Sequence, residues 1–136
     1  MRIVAAVLTH NAERHGRTEM LRRTVRSLAE ADAVIVVDNG STDGTEELVA
    51  RIGGTVYRAP DNVYTCGRGM NVTITAAAKL GDIVVFSNDD ICWKPGWREE
   101  LAEWWAGAPA DVAITSGLLE DEYPWNTSLN TIDVGR

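Results

Sequence analysis

The chain has 136 residues, 45% hydrophobic and 24% charged, a balance that supports one globular domain with a real core. Its net charge of −7 argues against nonspecific nucleic-acid binding, which needs clustered Lys and Arg, but leaves room for a phosphorylated ligand accompanied by a metal ion. No apolar run approaches the roughly 18 residues of a membrane-crossing helix, so no transmembrane segment is expected.

The opening apolar stretch is too short for a secretory leader. It runs into polar His10-Asn11-Ala12-Glu13-Arg14 without a small-residue cleavage site. Ile3 to Thr9 is therefore read as a strand covered on both faces. A helix opens at Thr18 or Glu19, with Leu21, Val25 and Leu28 on one stripe. Ala33-Val34-Ile35-Val36-Val37 is the strongest strand signal, and it stops at the turn sequence Asp38-Asn39-Gly40. Asp43 with Glu46 three positions later resembles a capping box, ahead of a helix whose apolar side is Leu48, Val49 and Ile52. Thr55-Val56-Tyr57-Arg58 is a short strand closed by Pro60. A third helix is expected to begin between Gly67 and Met70 and to turn Met70, Ile74, Ala77 and Ala78 inward, before Gly81-Asp82 breaks it. Ile83-Val84-Val85-Phe86 is another buried strand. Pro95 then starts a helix with Trp97, Leu101, Trp104 and Trp105 as its apolar stripe. Val112-Ala113-Ile114-Thr115 reads as a last strand. The alternation predicts a single α/β domain over residues 1–136, with a mostly parallel central sheet and helices on both faces.

Ligands of open α/β sheets collect outside the carboxyl ends of the strands. Those ends are polar here: Thr9-His10-Asn11 after the first strand, Asp38-Asn39-Gly40-Ser41 after the second, and Ser87-Asn88-Asp89-Asp90 after the fourth. Taken singly, Asp38 and Asp89 have an ordinary alternative role in capping the segments that follow them. Two acidic turns converging on one crevice would repel each other, and a divalent cation removes the conflict. Hard oxygen ligands without a Cys/His set favour Mg²⁺ or Mn²⁺, which use one or two carboxylates together with ligand phosphates.

Three stretches carry a resemblance. Val-Leu-Thr-His-Asn at 7–11, Val-Val-Asp-Asn-Gly-Ser-Thr-Asp-Gly-Thr at 36–45, and Phe-Ser-Asn-Asp-Asp at 86–90 with Lys-Pro-Gly-Trp at 94–97 resemble the family 2 glycosyltransferases of the GT-A fold. The resemblance implies an inverting, metal-assisted transfer of a sugar from a nucleoside-diphosphate sugar. It places Thr9, His10, Asn11 and Asn39 around the nucleotide, Asp38 on the base, Asp89 near the ribose or donor sugar, and Asp90 on Mn²⁺ or Mg²⁺ bridging the diphosphate. Asn88 stands where the family commonly has its first Asp, which leaves the metal one carboxylate rather than two. The stretch from Asn62 to Asn71 matches the family only loosely; within it Arg68 has the reach for the diphosphate and Asn71 for the donor, with surface and helix-interior positions as the alternatives.

An inverting transfer also needs a carboxylate to deprotonate the acceptor. Glu120 and Asp121 are the base candidates, in a cluster with Glu122 that reads equally as a solvated loop. The chain is expected to lack part of an acceptor-binding region, and the acceptor is open among glycan, lipid, protein and small molecule. Trp93 and Trp125 are the aromatics outside the expected core spacing. Cys66 and Cys92 form no metal-type spacing and are expected to be reduced in a cytoplasmic protein. A donor-binding module without turnover is the alternative outside enzymes. A nucleotidyltransferase is the alternative within them, although His10–Arg17 lacks the glycine density of its usual phosphate loop.

Overall fold

The computed structural model describes residues 1–60 and 65–109. The four apolar runs become strands β1 (Ile3–Thr9), β2 (Ala33–Asp38), β3 (Thr55–Arg58) and β4 (Ile83–Asn88). Helices α1 (Thr18–Ser27), α2 (Thr45–Arg51) and α3 (Cys66–Ala78) connect them, and α4 (Trp97–Gly107) follows β4. Met1–Arg98 forms one compact unit and carries the whole sheet; Glu99–Arg136 forms a second. The strand expected at Val112–Thr115 lies outside the described residues.

The sheet is parallel throughout, in the order β3-β2-β1-β4. All seven residues of β1 are buried. Because side chains alternate between faces, such a strand must be covered on both sides. On one face Val4, Ala6 and Ile35 pack with Ala77 of α3, and Leu8 and Val37 pack with Met70. On the other, Val36 lies beside Val49 of α2: a methyl on Gly54 would come within 2.9 Å of Val49 and 3.2 Å of Val36. The α1 stripe forms as its spacing predicts, with Leu21 and Leu28 wholly buried and Val25 nearly so. Each such residue contributes about 1.5–3 kcal/mol of burial.

Two local expectations are corrected. Helix α3 turns Gly69, Thr73 and Ala77 inward, while Ile74 is 40% exposed and Ala78 is also on the outer side. The inward residues recur every fourth position and are small, which lets the helix close on β1; a methyl on Gly69 would sit 3.0 Å from Leu8 Cδ1. The helix starts at Cys66, where the Thr65 hydroxyl accepts from the Arg68 amide at 3.4 Å. The capping box of α2 does not form. Gly44 is its N-cap, and Glu46 instead pairs with Arg58 of β3 at 2.8 Å.

The amino-terminal ends of the strands are tied by carboxylates. Asp32 accepts from the Ile3 amide at 2.8 Å, and both its oxygens lie 2.9 Å from Arg98 Nη2. These bonds, the Ile3 amide first, hold the Asp32 carboxyl below its usual range. Trp97 is buried and its indole donates to the Ser27 carbonyl, whereas Trp104 is 36% exposed and packs on Trp105 at 5.7 Å. Among the described residues no helix is long and apolar enough to cross a membrane.

Candidate functional site

From β1 the chain winds outward to β2 and β3, then crosses back to place β4 on the opposite side of β1. The crevice of an open α/β sheet lies at such a switch point, above the carboxyl ends of the strands. Register puts Thr9 beside Asp38 and Leu8 beside Asn88. The three polar ends named from the sequence are therefore neighbours in space.

The loops after β1 and β2 are stitched into one piece. The Asn39 amide donates to the Thr9 carbonyl at 2.9 Å, and the Asn11 amide to the Ser41 hydroxyl at 2.8 Å. The Thr42 amide donates to Asn11 Oδ1 at 2.8 Å, and the Arg14 amide to Asp43 Oδ2 at 2.7 Å. Asn11 adopts a left-handed φ of 47°, a conformation that Asn tolerates better than most residues. His10 Nδ1 lies 2.8 Å from the Asn39 carbonyl, and its Nε2 lies 3.0 Å from Asn11 Nδ2. A carbonyl only accepts and an amide nitrogen only donates, so this pair of contacts selects the neutral Nδ1–H tautomer. Asp43 also accepts from the Thr45 amide at 3.0 Å and hydroxyl at 2.5 Å. Burial pushes its pKa up, but the hydrogen bonds from Thr45 and Arg14 outweigh burial and hold the carboxyl below its ordinary 3.8.

The two acidic turns differ from this and from each other. Asp38 is wholly buried, and both its oxygens lie 3.2 Å from the Ser41 amide. The Ser41 hydroxyl makes a further, short bond to it. Asp89 is 3% exposed. The Thr9 hydroxyl donates to one of its oxygens at 2.7 Å, and Arg17 Nη1 donates to the other at 2.9 Å. Flanking it, Asn88 and Asp90 are both exposed. Arg68 and Asn71 are exposed on the first turns of α3. Asn39 is buried, and its Oδ1 has no hydrogen-bond partner among the described residues. Gly69 makes room for this side chain: an added methyl would lie 3.1 Å from Asn39 Nδ2.

The structure thus brings Thr9, His10, Asn11, Asp38, Asn39, Asn88, Asp89 and Asp90 to one end of the sheet. Glu120 and Asp121 lie outside the described residues, as does Trp125. The Trp93 indole donates to Ser87 Oγ at 3.1 Å. Among the described residues no group of three or more His, Cys, Asp or Glu gathers as a metal cage. With the Asp89 carboxylate engaged by Arg17, the exposed Asp90 carboxylate is the acidic group the β4 turn offers outward. One such oxygen donor fits a hard cation that takes its remaining ligands from phosphate and water, and does not fit a cation held by protein alone. Sequence reasoning placed Ser41 at the polar end of β2 but missed its bonds to Asp38, and it missed Arg17 altogether. Ser41 was within reach, since an Asp accepting from a backbone three residues on is a recurrent turn signature. Arg17 lies 72 positions from Asp89 and offers no local signal.

The model of glycosyl transferase family 2 matches residues 5–132, nearly the whole chain. The chain belongs to glycosyl transferase family 2. Among curated family relatives, an uncharacterized glycosyltransferase of Nostoc sp. is 27% identical over 112 residues, which cover 76% of this chain and 32% of that protein. Glucosyl-3-phosphoglycerate synthase of Mycobacterium tuberculosis is 26% identical with a TM-score of 0.57, over 79% of this chain and 40% of that one; its crystal structure contains Mn²⁺, uridine diphosphate and glucosyl-3-phosphoglycerate. S. aureus TarS shares the fold with a TM-score of 0.60 at 21% identity, over 88% of this chain and 42% of that one. The parallel sheet with its helices is thus the GT-A arrangement of these transferases. The chain spans about a third of the curated relative and two fifths of the solved ones.

Proposed function

We propose that this chain is the donor-binding part of a glycosyltransferase, holding a nucleoside-diphosphate sugar over the carboxyl ends of β1, β2 and β4. One observation carries the reading: the polar ends of β1, β2 and β4 meet at the topological switch, where among the described residues a buried acceptor on Asn39 is unmatched and Asp90 is exposed. Thr9, His10, Asn11, Asp38 and Asn39 shape the nucleotide end. Asn88 and Asp89 belong to the sugar end, and Arg68 and Asn71 approach from α3. Asp90 would hold Mn²⁺ or Mg²⁺, which when bound stabilises the charge on the departing diphosphate. A single exposed carboxylate holds such an ion weakly by itself, so cation and diphosphate bind together.

The transfer to the acceptor is read as inverting, with Glu120 or Asp121 as base and a glycan, lipid, protein or small molecule as acceptor. The two cysteines are free and exposed, which suits a reducing cytoplasm. A donor-binding module without turnover is the second reading, and the acceptor screen below separates it from the first.

The test is titration of uridine diphosphate and nucleotide sugars with and without Mn²⁺, followed by donor hydrolysis. Metal-dependent binding is expected, and Asp90→Ala should reduce it at least about tenfold, or ~1.4 kcal/mol. Undiminished binding in that variant would sink the metal assignment. Binding without turnover across a broad acceptor screen would select the module.

A further inference from the structure

Asp89 is a carboxylate at 3% exposure, and burying an isolated charge costs several kcal/mol unless a partner answers it. The partner comes from the loop ahead of α1. Arg17 places Nη1 2.9 Å from Asp89 Oδ1 and Nη2 2.8 Å from the His10 carbonyl. One guanidinium thereby joins the loop before α1, the end of β1 and the turn after β4, across the switch point. Thr9 completes the clasp on the second carboxylate oxygen. The consequence lies in the neighbours of Asp89. Along the turn, exposure alternates: Asn88 out, Asp89 in, Asp90 out. Fixing the inward side chain fixes the direction of the two outward ones.

We infer that Arg17 is a positioning residue of the donor site, acting through Asp89 to aim Asn88 and Asp90 into the crevice. The inference rests on the donor-binding reading above and deepens it. Arg17 touches no ligand in this scheme. Its fork geometry matters as well as its charge, because a lysine ammonium cannot hold Asp89 and the His10 carbonyl in the same planar arrangement. With Arg17 gone, Asp89 would be left buried without its ion-pair partner and would turn outward toward water, dragging the turn with it.

The test uses the full chain, with uridine diphosphate plus Mn²⁺ as the probe, affinity by calorimetry and folding by urea denaturation. Arg17→Met is expected to weaken affinity about tenfold or more. Arg17→Lys should fall between it and the parent. Because Arg17 acts through Asp89, the pair Arg17→Met with Asp89→Asn should bind no worse than Arg17→Met alone, a non-additivity typical of directly coupled residues. If Arg17→Met lowers the urea midpoint but keeps affinity within about twofold, Arg17 is merely structural and the inference fails. Additive losses in the double variant would mean a direct ligand contact and would also overturn it. A parent chain that binds no nucleoside diphosphate would refute the donor reading itself, and the positioning role with it. Should Arg17→Met not fold, Arg17→Lys alone decides: parental affinity in it would reject the fork argument.

Discussion

Replacing Asp38 separates a structural carboxylate from a ligand contact. Asp38 is wholly buried and answers the Ser41 amide and hydroxyl, while Ser41 in turn receives the Asn11 amide at 2.8 Å. Both Asp38→Ala and Asp38→Asn remove the buried charge, so the desolvation relieved by neutralising it is similar in the two. Their difference is dominated by the acceptor oxygen, which only asparagine keeps. Alanine leaves the Ser41 amide, itself in a buried residue, without a partner, costing about 1–3 kcal/mol, and also forfeits a hydroxyl hydrogen bond worth about 0.5–1.5. Asparagine keeps one oxygen for the amide. Asp38→Ala should therefore be less stable than Asp38→Asn by about 1.5–4.5 kcal/mol. With a urea slope of about 1–3 kcal/mol per molar for a small protein, the two midpoints should differ by roughly 0.5 M or more. Equal midpoints would refute the claim that Asp38 holds this loop. Nucleotide affinity then tests the ligand contact. A stable Asp38→Asn variant that binds uridine diphosphate about tenfold more weakly means the carboxylate also meets the base.

Gly69→Ala adds a methyl 3.0 Å from Leu8 and 3.1 Å from Asn39 Nδ2. A helix-propensity gain of about 1 kcal/mol offsets much of an overpacking cost of about 1–3, so stability should fall little while uridine diphosphate binding weakens; unchanged affinity would detach Asn39 from the ligand. Asp43, whose pKa is lowered on folding, contributes stability that is present above the ordinary value of 3.8 and is lost as pH falls through its folded value. Urea midpoints measured from about pH 5 down to about pH 3 should accordingly drop less in Asp43→Asn than in the parent, and identical slopes would show that the Arg14 and Thr45 bonds carry no net stability.

The strands were legible because β1 and most of β2 are buried on both faces and spell out as unbroken apolar runs. The α1 stripe was legible for a related reason: Leu21, Val25 and Leu28 stand among arginines and leave one way to face inward. Helix α3 was legible at Met70 and Ala77 but misled at Ile74 and Ala78, because most of its inward side is Gly69, Thr73 and Ala77, residues chosen for closeness rather than for hydrophobicity, while Ile74 is left in solvent. The α2 capping box misled because its spacing was satisfied by side chains with better partners elsewhere: Glu46 on Arg58, Asp43 on Thr45 and Arg14. At the site, residue types and strand ends were readable. Which carboxylates had already found partners inside the protein was not, because those partners come from tertiary contacts.

That division of the carboxylates changes the electrostatic argument for a metal. From the sequence, Asp38, Asp89 and Asp90 form an acidic concentration that a cation would relieve. In the folded chain, Ser41 answers Asp38, and Arg17 with Thr9 answers Asp89. Arg17 offsets the charge of Asp89, and Ser41 satisfies the hydrogen bonding of Asp38, before any ion arrives. What remains for the ion is Asp90, one exposed carboxylate, whose attraction for a hydrated divalent cation is screened by water. A diphosphate brings the missing charge. On the proposed donor-binding reading, the site would take cation and nucleotide as a pair, with its rigidity supplied by the stitched loops and the Arg17 clasp rather than by the metal.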